Sequence, residues 1–209
     1  LRQRADKVRL IDDYSESGVN ASVTVTELPM LHTVDVACAT LMVWFSLCRE
    51  ANVDSSLAVR TFDLASAYRQ VGLSKKGRQF AYLRVFNPET RRACFFKSLV
   101  LPFGAVRSVH SFLRLARAVW WLGVTGCFIV WTSFYDDYIS FSRPKLNGST
   151  EKTIVALFKL LGWIFAEDGD KAQPFDLRCA ALGVSFNLES AASGKALVCN
   201  TESRCIEPL

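Results

Sequence analysis

The chain has 209 residues, half of them hydrophobic, and carries 25 Lys and Arg against 20 Asp and Glu, for a net charge of +5. This length and apolar content supply a sizeable core and exclude a disordered chain, and the modest basic excess suits a polyanionic partner. Seven cysteines, at 38, 48, 94, 127, 179, 199 and 205, form no Cys-x-x-Cys pair and have only His32 and His110 beside them; this excludes a structural zinc site and fits a reducing intracellular compartment, cytoplasm or nucleus, rather than secretion.

The sequence opens on Leu rather than Met and without a signal peptide, so it reads as a piece of something longer. Residues 2–13 are basic and then strand-like at 8–11, and a polar turn follows at 13–18. Thr33 is a plausible N-cap with Asp35 in the first turn, and the apolar residues from there to 51 predict a mostly buried helix. Residues 59–64 predict a strand that includes Asp63. Two further strands are expected at 78–86 and 93–100, joined by the turn signal Asn87-Pro88-Glu89-Thr90 as an exposed hairpin.

Leu101-Pro102-Phe103-Gly104 punctuates the chain, and residues 106–122 predict an amphipathic helix on which Arg107, Arg114 and Arg117 share a face. Residues 118–135 carry no charge and reach the lower length limit of a spanning helix, about 17–25 residues. That stretch contains Gly123 and Gly126 and runs into Asp136-Asp137, so it reads as a helix end, a turn and a buried strand rather than a membrane span. The Asp pair sits between two strand-like segments, which places two carboxylates at a hairpin tip. Adjacent carboxylates repel unless a cation neutralises them, and hard oxygen ligands suit magnesium. Asp63, at the end of its own apolar run, is the natural third member of a site for two metal ions.

Residues 151–162 predict a helix ending at Gly162, and 168–171 a turn. Strands are expected at 181–186 and 195–199. The irregular interleaving of elements argues for an α+β domain with a mainly antiparallel sheet packed by helices.

In this order the segments resemble the reverse transcriptases of retroelements. Phe62-Asp63-Leu64-Ala65-Ser66-Ala67-Tyr68-Arg69-Gln70 is similar to the family's first catalytic motif, and Leu101-Pro102-Phe103-Gly104 to its proline-glycine motif. Phe134-Tyr135-Asp136-Asp137 is similar to its Tyr-x-Asp-Asp box, with Phe134 in place of the Tyr. Residues 9–20 resemble the fingers segment, 160–171 and 182–186 the two motifs that follow the Asp-Asp hairpin. Each motif is weak alone; their shared order over residues 7–188 is the signal.

The resemblance implies a right-hand polymerase architecture in one region over 1–209, with fingers parts at about 1–58 and 74–100 and a palm at about 59–73 and 101–190, a thumb and ribonuclease H being absent. It implies RNA-directed DNA polymerase activity, with Asp63, Asp136 and Asp137 catalytic and, with the Leu64 carbonyl, holding Mg²⁺ or, in its place, Mn²⁺. Lys7 and Arg9 would pair with triphosphate oxygens. Tyr68 would exclude a ribose 2′-hydroxyl, and Phe103 and Gly104 would pack on the nucleotide. Lys171 would be a candidate proton donor to pyrophosphate. The partners implied are an RNA or DNA template with its primer and deoxynucleoside triphosphates, and no membrane.

Each residue also has a plainer reading. Asp136-Asp137 alone closes a turn, Asp63 alone caps a helix, Tyr68 and Phe103 fill a core, and the three arginines make a solvated face. Asp12-Asp13 is the internal control, the same dipeptide with no aromatic frame. The competing function is a truncated, catalytically inactive retroelement fragment that at most binds nucleic acid.

Overall fold

The structure, a computed structural model, describes residues 13–167, 169 and 172–201. The chain is α+β, and every sheet among the described residues is antiparallel. The described residues divide into two compact units, those of 13–29 with 66–114, and those of 30–65 with 115–201.

The second unit is built on a three-stranded sheet of β1 (Ala58–Asp63), β4 (Val130–Phe134) and β5 (Asp137–Ser142), with β5 central. Side chains alternate between its faces. On one face Phe62, Trp131 and Tyr138 meet Phe158 of helix α3 (Asn147–Leu160) at ring separations of 6.3, 6.0 and 5.4 Å. The Tyr138 hydroxyl donates to the Ala116 carbonyl of helix α2 (Val106–Cys127) at 3.1 Å. On the opposite face Val59, Ile139 and Phe141 pack with Ala37 and Leu41 of helix α1 (Val34–Glu50) and with Val184 and Phe186 of a second sheet. That second sheet is β6 (Arg178–Ala181), β7 (Val184–Asn187) and β8 (Leu197–Asn200).

Several expected boundaries move, each for a physical reason. Helix α1 starts after Thr33 as expected but is not mostly buried: Ala37, Leu41 and Cys48 face inward, while Met42, Val43 and Leu47 are exposed. Helix α2 continues past residue 122 to Cys127, through Gly123. A Cβ at Gly123 would overlap the Trp131 ring, so this glycine permits a close approach instead of ending the helix. The approach is locked by a reciprocal pair: Trp120 Nε1 donates to the Trp131 carbonyl at 2.9 Å, and Trp131 Nε1 to the Trp120 carbonyl at 3.1 Å.

Helix α3 starts four residues before 151, at Asn147, and ends at Leu160, two residues before the expected Gly162, which sits just past the cap. Gly162 has φ 76° and donates to the Lys159 carbonyl, while Trp163 donates to the Phe158 carbonyl, the two bonds of a Schellman cap. The single strand expected at 181–186 is instead the end of β6, a two-residue turn and the start of β7. Leu182 and Gly183 both take positive φ, 54° and 76°, as a type I′ turn requires.

The first unit holds the two-stranded hairpin of β2 (Tyr82–Asn87) and β3 (Arg92–Lys97). Asn87 Oδ1 shapes its loop by accepting the Glu89 and Thr90 amides at 2.9 and 3.3 Å. The hairpin is exposed, as expected, on both faces. In the same unit Asn20 reaches across 86 residues of sequence to the start of α2, accepting the Val106 amide at 3.0 Å and donating to the Gly104 carbonyl at 3.0 Å. Asp13, the control aspartate, accepts the Ser15 and Glu16 amides at 2.9 Å and so serves its turn. No described helix is long and apolar enough to cross a membrane.

Candidate active site

The antiparallel pairing of β1 with β5 runs from Ala58↔Ser142 to Asp63↔Asp137. Directly opposed residues of such a pair project to the same face, with Cβ atoms about 4.5–5.5 Å apart. Asp63 and Asp137 therefore stand side by side at the end of the sheet, on the face that carries Ile139 and Phe141. Asp136 occupies the two-residue turn between β4 and β5, which closes on the pair Phe134↔Asp137. Its carbonyl accepts the Leu64 amide at 3.1 Å, which ties the turn to the end of β1. All three aspartates are half-buried.

Two neighbouring carboxylates would push a sheet apart if nothing larger held its register. Like charges directly opposite cost about 0.2–1 kcal/mol. A slip by one residue would take Phe62 and Tyr138 off Phe158, and Ile139 and Phe141 off α1 and the second sheet, each now at most 1% exposed, and misfitting a packed core costs about 1–3 kcal/mol. The hydrophobic pattern thus fixes the register and imposes the carboxylate juxtaposition as its consequence.

The far edge of β1 is covered. Ala65 donates to the Ile164 carbonyl and Ala166 to the Asp63 carbonyl, both at 3.0 Å, and Val59 exchanges two backbone bonds with Asp176 at 2.8 and 3.1 Å. The strand bearing Asp63 is therefore paired on both sides near its acidic end. At the hairpin tip Tyr135 takes φ 52°, a region favoured by glycine at that turn position. Its ring packs edge-on against Phe134 at 5.0 Å.

Tyr138 follows the Asp pair on the opposite face and is fully buried. Burial pushes its phenol pKa well above the ordinary value, and the Asp136 carboxylate pushes it the same way. Its hydroxyl therefore stays protonated and acts as a donor to α2. Sequence reasoning passed over this residue, although its place one step beyond the Asp pair on an alternating strand marks it as inward-facing.

The remaining candidates divide. Tyr68 and Phe103 meet in the first unit, ring centroids 5.4 Å apart and nearly perpendicular, and Tyr68 also packs on Phe112 at 4.8 Å. Gly104, beside them in sequence, has φ 110°, which explains glycine there. Leu64 is buried and bridges Phe165. Lys7, Arg9 and Lys171 lie outside the described residues. Arg114 is committed to Glu27 at 2.6 Å rather than to an open basic face. Arg60, in mid-β1, was not singled out; it is buried over the Phe62 ring and pairs with Glu151 at 2.7 Å.

Among the described residues no three or more His, Cys, Asp or Glu side chains gather into a ready-made metal cage. Magnesium commonly uses one or two carboxylates and completes its shell with water and substrate phosphate. The donor set at this end of the sheet, carboxylate oxygens and a nearby backbone carbonyl, is the hard-oxygen chemistry that such an ion takes. No protein-family model matches the chain, and no curated protein matches it either.

Proposed function

We propose that the chain is the fingers and palm region of a reverse transcriptase, an RNA-directed DNA polymerase that adds a deoxynucleotide to a primer 3′-hydroxyl. One observation carries the reading: the β1–β5 register sets Asp63 opposite Asp137, with Asp136 in the adjoining turn. Residues more than 70 positions apart in sequence are thereby brought to one end of one sheet, as the order of the motifs leads one to expect. The three-stranded antiparallel sheet backed by α2 and α3 fits a polymerase palm.

In this reading Asp63, Asp136 and Asp137, with the Leu64 carbonyl, would hold Mg²⁺, or Mn²⁺ in its place. The ions would lower the pKa of the primer 3′-hydroxyl and offset charge on the triphosphate. The 3′ oxygen then forms a bond to the α-phosphorus while the bond to the bridging oxygen breaks, and pyrophosphate leaves. Tyr68, Phe103 and Gly104 keep the roles that the resemblance implies, Tyr68 excluding a ribose 2′-hydroxyl and Phe103 and Gly104 packing on the nucleotide. Lys7, Arg9 and Lys171 keep the roles that the resemblance implies, the first two on phosphate oxygens and the last as proton donor. The template, primer and deoxynucleoside triphosphates are the partners of this activity.

The test is primer extension on an RNA template. The full chain is expected to extend it with Mg²⁺ or Mn²⁺, and Asp136→Asn to reduce extension by about 10²-fold to 10⁴-fold, the several kcal/mol that charge compensation at such a site supplies. The thermal midpoint of the variant should match the wild type. Undiminished extension by Asp136→Asn would overturn the assignment. Salt-dependent binding of primer-template without any extension by the wild type would favour the inactive-fragment reading.

A further inference from the structure

The β2–β3 hairpin presents a face with no role in the site described above. Cross-strand pairing sets Tyr82 opposite Lys97, Arg84 opposite Phe95 and Phe86 opposite Ala93, and alternation puts all six on one face. The three rings are exposed, Tyr82 by 54%, Phe86 by 63% and Phe95 by 70%. Lys97 Nζ lies 5.7 Å from the Tyr82 ring centroid. The opposite face carries Leu83, Val85, Cys94 and Phe96, with Asn87 and a single cation, Arg92, at its loop end, so only the first face interleaves rings with cations.

Three exposed aromatic rings alternating with two cations are not what folding requires. A two-stranded hairpin gains little stability from rings left in water, and a contiguous exposed apolar patch marks an interaction surface. Charge selects the occupant. Residues 66–101 contain eight Lys and Arg and one acid, Glu89, a local excess larger than the +5 of the whole chain, so the remaining residues are net acidic. A second copy seated on this face would meet the same positive charge, whereas a polyanion would be attracted. Rings spaced between cations match a strand whose unpaired bases stack while its phosphates are neutralised.

We infer that the Tyr82, Phe86 and Phe95 face of the hairpin binds single-stranded nucleic acid, stacking unpaired bases on its rings with Arg84 and Lys97 on the phosphates. The site stands on the hairpin alone and does not depend on the polymerase reading.

The test is fluorescence anisotropy of the full chain with a short labelled oligo(dT) at several salt concentrations. Phe95→Leu keeps the apolar side chain but removes the π-face, and is expected to weaken binding by about fivefold to 100-fold, the span of one base–aromatic stack. Phe95→Trp should restore it. Phe96→Leu, the same change on the opposite face, should leave affinity within about twofold of wild type, since that ring lies outside the proposed stack. Arg84→Gln should lower the slope of log K against log salt by about 0.7. Wild type should bind oligo(dT) equally well in EDTA, where no divalent ion supports extension, so failure of the catalytic reading and failure of this one are separable. Equal weakening by Phe95→Leu and Phe96→Leu, or no oligo(dT) binding by wild type, would overturn the proposal. So would an unchanged affinity in Phe95→Leu accompanied by loss of a dimer in light scattering, which would assign the face to a second copy. Circular dichroism checks that each variant is folded; should Phe95→Leu fail to fold, Phe95→Trp and Arg84→Gln still decide the matter.

Discussion

The β4–β5 hairpin with β1, and the β2–β3 hairpin, use the same antiparallel pairing to opposite ends. In the first, apolar side chains are buried on both faces, and acid is confined to the tip, at Asp136, Asp137 and Asp63. In the second, apolar side chains are exposed on both faces, and the charges on the strands, Arg84, Arg92 and Lys97, are basic. The difference teaches that burial fixes position, while exposure leaves a surface for something else. A three-stranded sheet between helices and a second sheet can hold two carboxylates side by side against their repulsion. A two-stranded ribbon lacks that reserve and can afford only groups that a partner will cover.

Hydrogen exchange should show the largest contrast. Amides of β5 are expected to open only with the whole chain, at about 5–15 kcal/mol, and those of β2 and β3 several kcal/mol below that. Equal protection in the two hairpins would break the comparison.

Side-chain substitution should show a smaller contrast. Gly123→Ala gains about 1 kcal/mol of helix propensity but drives a methyl into the Trp131 ring, an overpacking that costs about 1–3 kcal/mol or more. The ring cannot swing aside without breaking its paired bonds with Trp120. A net loss of roughly 1–2 kcal/mol is expected from urea unfolding, while Val85→Ala on the exposed hairpin should stay within about 0.5 kcal/mol. A Gly123→Ala chain as stable as wild type would show that α2 is not pinned to β4.

The smallest expected effect is a pH dependence at the outer edge of β4. His32 Nδ1 accepts the Ser133 amide at 3.2 Å, and its ring packs on Trp120 at 4.6 Å. Burial first, and the Arg117 charge second, lower its pKa below the ordinary value. A depressed folded-state pKa means the folded chain binds fewer protons than the unfolded one. Its stabilising contribution is complete above the unfolded value, about 6.5, and is lost as pH falls through the folded value. The urea midpoint of the wild type should therefore fall on acidification below about pH 6.5 more steeply than that of His32→Asn. Parallel pH profiles would remove His32 from the account.

Much of the sheet was legible because strands that end in Asp after apolar alternation are locally distinctive. Asp63 and Asp136-Asp137 could be singled out from such runs, but nothing local says that residue 63 faces 137; pairing is a long-range choice made by Phe62, Tyr138 and Ile139 seeking burial. The exposed outer face of α1 was illegible because Met42, Val43 and Leu47 look like core in any window. Asn147-Gly148-Ser149-Thr150 reads as a loop by propensity, yet Thr150 is within 2.9 Å of the Ser142 hydroxyl and the helix starts there. Leu182 in a left-handed turn defeats a pattern that expects glycine or Asn. Arg60, buried in a strand, is explained only by Glu151, 91 positions away. Tyr135 breaks turn preference at the acidic tip itself, taking a φ of 52° where glycine is favoured.

The most direct test of the central claim asks whether distant carboxylates share an ion. With Fe²⁺ in place of Mg²⁺, and ascorbate and peroxide added, hydroxyl radicals cut the backbone beside the bound metal. Two cuts are expected, one near residue 63 and one near residues 136 and 137, both suppressed by excess Mg²⁺ and both lost in Asp137→Asn. Cleavage at only one of these places, or cuts that persist unchanged in Asp137→Asn, would contradict that claim.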